Sequence, residues 1–327
     1  MRNKGIQLSL SPLTVPADPS DAQFSTFISS LQGGTYKAGR GAVSVHDLES
    51  LSILGRGNSG VVRKVRHRRS GDFYALKLIQ LSGPHEQSAR TQIMRELDIL
   101  LTVDSPLVVR CFNASCSDGV ISIVLEYMDG GTLADLIKSN GRISEPYIAA
   151  IAKQVLQGLV YLNKERHVIH RDIKPSNLLV NTDGDVKIAD FGVSAVLANS
   201  VAMCDSFVGT QTYMSPERIM GERYGYKCDV WSVGLSLMEC AIGRFPYPPP
   251  PGESGWNNFF DLLQTVAREP PPSLPASDPS FSPEFRSFIN CCLRKNPRQR
   301  ASSPELLNHP FIRKYEGRSI DIADLIH

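Results

Sequence analysis

The sequence predicts an α+β chain of two lobes, the first rich in strands and the second mainly helical, with a cleft between them. Three observations carry that expectation. Short β-branched and aromatic runs crowd residues 48–128, and helical periodicity takes over after Asp129-Gly130-Gly131. Between Val168 and Gly192, two Asp-bearing polar clusters sit among short Val, Ile and Leu runs, which places the polar groups on loops at strand ends. The 327 residues, 42% hydrophobic and 21% charged, suffice for one large core or two smaller ones.

Composition removes several classes of function. A net charge of +2 provides no overall field for nucleic acid or an anionic membrane. The seven cysteines are odd in number and lack paired CxxC spacing, which points to a reducing, cytoplasmic setting without structural zinc. The nucleus is a second compartment compatible with this. Met1 to Gly5 is followed by no long apolar core, so a secretory signal is not expected. No uninterrupted apolar run approaches the ~20 residues a membrane span needs.

In chain order, residues 1–47 are rich in Ser, Pro, Gly and Thr and read as a mostly disordered leader. Within it, Arg2 and Lys4 precede alternating Ile6, Leu8 and Leu10, a pattern equally open to a docking peptide or to chance leucines. Strands are expected at Leu51–Gly55, Gly60–Val65, Phe73–Ile79 and Val120–Leu125. The basic run Arg63, Lys64, Arg66, Arg68 and Arg69 reads as a solvated hairpin. A helix is expected from Pro84 to about Leu101, with Ile93, Leu97 and Leu100 on one face. Further helices are expected at Tyr147–Leu162 and Cys228–Ile242. The proline-rich pieces Phe245–Pro251 and Pro270–Pro272 read as surface loops.

Three residues in the central stretch suit phosphoryl transfer. That chemistry needs a carboxylate for the hydroxyl proton, and an amide oxygen with a second carboxylate to hold Mg²⁺ against phosphates. Asp172, Asn177 and Asp190 supply those groups in that order. Three strand-capping turn residues would explain any one of them, but not all together. Gly55-Arg56-Gly57-Asn58-Ser59-Gly60-Val61-Val62 is a GxGxxGxV run between strands, where glycine lets backbone approach phosphate. With 25 glycines in the chain, chance alone gives such a run in roughly one sequence in seven, so context decides. A dinucleotide-binding fold would place a helix after the third glycine. Here a strand follows, with Lys77 placed to hold phosphates and Glu96 on the next helix placed to fix that lysine.

Taken together, these residues resemble the eukaryotic protein kinases, from Leu48 to about Phe311. The order runs through the glycine loop, Ala75-x-Lys77, Glu96, His170-Arg171-Asp172, Asn177 and Asp190-Phe191-Gly192. Ser215-Pro216-Glu217 stands where the family usually has Ala-Pro-Glu. The resemblance implies a bilobal kinase fold, with an N-lobe over 48–128, a C-lobe over 129–311 and a tail over 312–327. It implies an ATP site over Leu54–Val62, Ala75, Lys77, Glu96, Glu126, Met128 and Leu179. Val62, Ala75 and Leu179 would sandwich adenine, and backbone groups of Glu126 and Met128 would hydrogen-bond it. Asp172, Lys174 and Asn177 would be catalytic, and Asn177 and Asp190 the Mg²⁺ ligands. Glu217 and Arg300 would form a buried ion pair.

Finer features resemble the mitogen-activated protein kinase kinases: Phe207-Val-Gly209-Thr210-x-x-Tyr213, Asp190-Phe-Gly-Val-Ser194 and Met128-Asp-Gly-Gly131. Ser200 and Ser206 resemble the longer phosphosite spacing of plant-type members. The implied activity is ATP-dependent phosphorylation of Thr and Tyr on a downstream mitogen-activated protein kinase, switched on by an upstream kinase. Another Ser/Thr kinase of the same cascade class, or a non-catalytic kinase-fold scaffold, is the alternative. The leader run around Arg2 and Leu10 resembles the docking peptide for the downstream kinase. His309 to Ala323 resembles a docking segment for upstream kinases. Some plant members carry an added domain after this point; with the sequence ending at His327, that part is expected to be absent or removed.

Overall fold

The computed structural model describes residues 26, 43–57, 60–80, 97–117, 120–190, 213–249, 252, 256 and 258–326. Five strands form one antiparallel sheet: β1 (Leu48–Gly57), β2 (Gly60–His67), β3 (Phe73–Gln80), β4 (Cys111–Ser117) and β5 (Val120–Glu126). Their spatial order is β1-β2-β3-β5-β4. Alternation divides the sheet into two faces. Val65, Leu76 and Val124 point to a small core closed by Val43 and Leu48. Ile79, Ile121 and Ile123 point the other way and join Leu97 and Leu100, from a helical stretch over residues 97–102, in the main core. The expected helix from Pro84 lies outside the described residues up to Glu96.

The basic run lies on the β2–β3 hairpin. Arg66 pairs with Glu49 at 3.3 Å, and the Lys64 ammonium lies 4.4 Å over the Phe73 ring, both near the surface.

The second lobe is helical: α1 (Leu133–Asn140), α2 (Glu145–Lys164), α3 (Pro216–Ile219), α4 (Lys227–Ile242), α5 (Phe259–Arg268), α6 (Pro283–Cys292), α7 (Ser303–Leu307) and α8 (Pro310–Lys314). A reciprocal cap starts α1. The Thr132 Oγ1 accepts from Asp135 N at 3.1 Å, while Thr132 N donates back to the Asp135 carboxylate at 3.0 Å. α4 is buried on nearly every side, as a helix apolar all round must be, and it forms the lobe's axis. It stops at Gly243, which adopts the left-handed conformation. A two-stranded hairpin, β6 (Leu178–Val180) with β7 (Val186–Ile188), lies between α2 and the sheet lobe.

One expectation fails here. The proline-rich piece at Phe245 begins in the interior, with Tyr247 only 5% exposed. The Phe245 ring meets Tyr213 edge-on at 5.4 Å and Tyr247 at 6.1 Å. Burying these rings removes large apolar area from water, and Pro246 between them is buried as well.

Beyond α8, the chain folds back through a short 3₁₀ turn, Ile322–Leu325, whose Ile322 and Leu325 enter the main core. Among the described residues, no helix is long and apolar enough to cross a membrane.

Candidate active site

The glycine run forms the β1–β2 hairpin, with Gly55 opposite Val62, Arg56 opposite Val61 and Gly57 opposite Gly60. Leu54 falls at a bulge in β1 and is exposed. Asn58 and Ser59 lie outside the described residues. Gly60 has a φ of +137°, and a Cβ there would collide with the Leu78 carbonyl, so only glycine fits. At Gly55 an added Cβ would meet no atom of the described residues within 4 Å.

Register then places the lysine. Val62 stands directly opposite Lys77, and Ala75 lies two residues before it, so all three share one face of the sheet. Lys77, 5% exposed, sends its Nζ 2.6 Å from the Asp190 Oδ1. The first lobe's ammonium and the second lobe's carboxylate therefore meet across the cleft. Burial works against the Asp190 charge. The Lys77 ammonium, with His170 and Lys174 contributing, outweighs it and holds the carboxyl below its ordinary range. Glu96 lies outside the described residues.

The loop between α2 and β6 carries the other groups. Lys174 Nζ donates to the Asp172 Oδ2 at 2.9 Å. Asn177 Nδ2 donates to the same Oδ2 at 2.9 Å and to the Asp172 carbonyl at 2.8 Å. With its NH₂ engaged on Asp172, the amide turns Oδ1 away, and this oxygen accepts nothing among the described residues. The Asn177 carbonyl accepts from Ala189 N at 2.9 Å, tying this loop to the residue before Asp190. Arg171 and Asp190 both adopt positive φ, 71° and 58°. Non-glycine residues hold such conformations only where surroundings over-determine them.

Those surroundings include a residue the sequence reading gave no role. Asp229, fully buried on α4, accepts from His170 N at 2.8 Å and Arg171 N at 2.9 Å. The His170 ring contacts the Ala189 carbonyl through Nε2 and accepts from Asp172 N through Nδ1. A carboxylate inside an otherwise apolar helix must find donors, and that was the available signal. Lys187 on β7 is a second such residue. It reaches Glu126 Oε1 at 2.5 Å, joining the end of β5 to the β6–β7 hairpin. Nothing in its three-residue strand advertised that contact.

The Glu217–Arg300 pair forms as the resemblance implied. Arg300 Nη1 and Nη2 meet the two Glu217 oxygens at 2.8 and 2.9 Å, with both side chains essentially inaccessible. Burial raises the Glu217 carboxyl, and the guanidinium outweighs this and leaves it below its ordinary value. Arg218 donates to the Arg171 carbonyl at 2.6 Å. Met128 packs with Val109, Ala189 and Leu179 in a small apolar cluster where the two lobes join. Glu126 N donates to the Arg110 carbonyl. Ser200 and Ser206 lie outside the described residues.

The donor set fits a hard divalent cation bound beside phosphate. Asp190 and Asn177 offer carboxylate and amide oxygens, and Mg²⁺ is usually held by one or two protein groups, with substrate phosphates and water completing its shell. Register puts Gly55 and Lys77 on either side of Val62, on the two strands that flank β2.

Comparison with known proteins agrees with this geometry. The family model for the protein kinase domain matches residues 48–312. Mitogen-activated protein kinase kinase 2 of Arabidopsis thaliana is 49% identical over 281 residues, 86% of this chain and 76% of the relative. Mitogen-activated protein kinase kinase SIPKK of Nicotiana tabacum is 51% identical over 277 residues, 85% and 76% of the two chains. Dual specificity mitogen-activated protein kinase kinase dSOR1 of Drosophila melanogaster is 46% identical over 302 residues, 86% and 75%. The chain belongs to the protein kinases and, within them, to the mitogen-activated protein kinase kinase family.

Proposed function

We propose that this chain transfers the γ-phosphoryl group of ATP, with Mg²⁺, to the activation-loop Thr and Tyr of a mitogen-activated protein kinase. The observation that carries the reading is the Lys77–Asp190 contact across the cleft, which puts a phosphate-binding ammonium beside a metal-binding carboxylate. The relatives' names support the substrate class, and one of them is called dual specificity.

Little covalent chemistry is asked of the protein, so positioning and charge neutralisation carry the rate. Mg²⁺ neutralises charge developing on the phosphates when bound. Asp172 accepts the acceptor hydroxyl's proton at its carboxylate. Lys174, already on that carboxylate, faces the transferring group. Asn177 orients Asp172 through Nδ2 and keeps Oδ1 for the metal. Phosphates on Ser200 and Ser206 would add negative charge near Arg171 and switch the chain on. The chain acts in the cytoplasm, downstream of a kinase that phosphorylates those serines.

The test is phosphosite mapping on a panel of purified mitogen-activated protein kinases. The chain, pretreated with an upstream kinase, should phosphorylate Thr and Tyr on one acceptor. Asp172→Asn should lose turnover while retaining nucleotide affinity, and the Ser200→Ala/Ser206→Ala variant should fail to activate. Phosphorylation of Ser or Thr alone, on unrelated acceptors, sinks the substrate assignment.

A further inference from the structure

The segment Asp321–Ile326 packs against the structure that supports the cleft. Gly130, two residues past Met128, packs so closely that a Cβ would lie 2.6 Å from Ile326 Cδ1. Gly184, in the turn of the β6–β7 hairpin, is covered in the same way, with Asp321 Oδ1 2.8 Å from where its Cβ would stand. One short segment therefore touches both the connection between the lobes and the hairpin that leads from Asn177 to Asp190.

Its own anchorage is firm. Ile322 is 1% exposed and Leu325 is buried beside it. Asn140 Nδ2, at the end of α1, donates to the Leu325 carbonyl at 3.0 Å. Tyr147 OH, on α2, donates to Asp324 at 3.2 Å.

The two elements beneath it are already linked. Gly130 N donates to the Val180 carbonyl at 3.0 Å, and Val180 N returns a bond to Gly131 at 2.9 Å. Asp129 accepts from Thr182 N at 2.9 Å and from Thr182 Oγ1 at 2.8 Å. Gln154 on α2 accepts from Val186 N and donates to the Gly184 carbonyl. The connection, the hairpin and the 321–326 segment thus form one packed unit, with the segment as its outer layer.

We propose that Asp321–Ile326 is a positioning element for the nucleotide site. It would hold the interlobe connection at Met128–Gly131 and the β6–β7 hairpin in the spacing that ATP requires. The role is indirect, since none of these residues touches Asp172, Lys77 or Asp190. Packing of this kind transmits because close-packed surfaces respond to the loss of a few atoms by shifting. Holding the site in shape would show in affinity for nucleotide more than in the chemical step. Nucleotide binding must in turn steady the segment, since coupling between two sites is reciprocal.

The proposal rests on the nucleotide site described above, and the experiment separates the two. Binding of a fluorescent non-hydrolysable ATP analogue with Mg²⁺ is titrated against the full chain and against Ile326→Ala and Leu325→Ala. Hydrogen exchange at residues 321–326 is followed with and without the analogue. The expected result is tight binding by the wild type and a Kd raised roughly five- to tenfold in the variants. KM for ATP should rise in step with Kd while kcat changes less than twofold, and exchange in the segment should slow when the analogue binds. A merely structural role would lower Tm and leave Kd, KM and the exchange response at wild-type values, and that result overturns the proposal. No binding by the wild-type chain would overturn the reading of the nucleotide site, and the proposal with it.

Discussion

Gly60 carries a requirement that no other residue type meets, because its φ of +137° and the neighbouring Leu78 carbonyl both exclude a side chain. Gly60→Ala is expected to lower stability by roughly 1–3 kcal/mol through backbone strain. Gly55→Ala, whose Cβ would meet no atom of the described residues within 4 Å, should leave the urea midpoint close to wild type. Equal midpoints for the two variants would remove the requirement. The same contrast shows what a sequence reveals at this scale. Gly60, Lys77, Asp172, Asn177 and Asp190 are legible because the chemistry demands those residue types in that order. Asp229 is legible as part of the kinase-like run Asp229-Val-Trp231-Ser-x-Gly234, but its partner 59 residues away is not, and Lys187, whose partner lies 61 residues away, gives no signal. Local spacing encodes a residue's chemistry, whereas its neighbours across the fold follow only from packing.

The short helix α3 shows how one element depends on a distant loop. Its Glu217 is buried and paired with Arg300, which also donates to the Arg294, Lys227 and Lys295 carbonyls. Removing one partner strands a charge in the interior. Arg300→Met should cost about 3–5 kcal/mol of stability, and Glu217→Leu/Arg300→Met should recover most of that loss. Chemical denaturation of the three proteins measures this, and a single variant as stable as the double one contradicts it. Among elements, the long helices were readable. The periodicity at Tyr147–Leu162 and Cys228–Ile242 corresponds to α2 and α4, whose ends extend only slightly further. The loop at Phe245 was misread because its prolines signal a turn and say nothing about which way its aromatic rings face. The inward packing of Ile322 and Leu325 had no local signal either, since the surface they cover is assembled from α1, α2 and the β6–β7 hairpin.

Across the whole molecule, carboxylates set the response to acid. Asp190, Glu217 and Asp129 all lie below their ordinary values of 3.8, 4.5 and 3.8 when folded. In each, burial raises the value and the bonding partners overcome it. A carboxyl depressed on folding contributes stability above its unfolded value and loses that contribution as pH falls through its folded value. Glu239 acts in the opposite sense. Burial raises it more than the Tyr213 hydroxyl lowers it, so its ionisation opposes folding above 4.5. Asp278, Glu284 and Glu305 are depressed as well, and burial lowers His309, so among the described residues Glu239 is outnumbered. The urea midpoint should decline slightly below pH 6.5 and then fall steadily from about pH 5 toward pH 2. A midpoint at pH 3 equal to that at pH 6 would contradict this balance. The fold at this scale was legible as strands first and helices after, because each lobe's periodicity is continuous over its own stretch of chain.

Asp229 grips two amide hydrogens of the His170–Arg171 backbone from a helix buried on nearly every side. The backbone leading into Asp172 is thereby pinned to the core of the helical lobe. In the proposed reaction, any shift of the strand lobe would alter the reach to phosphate without redirecting the carboxylate that takes the proton.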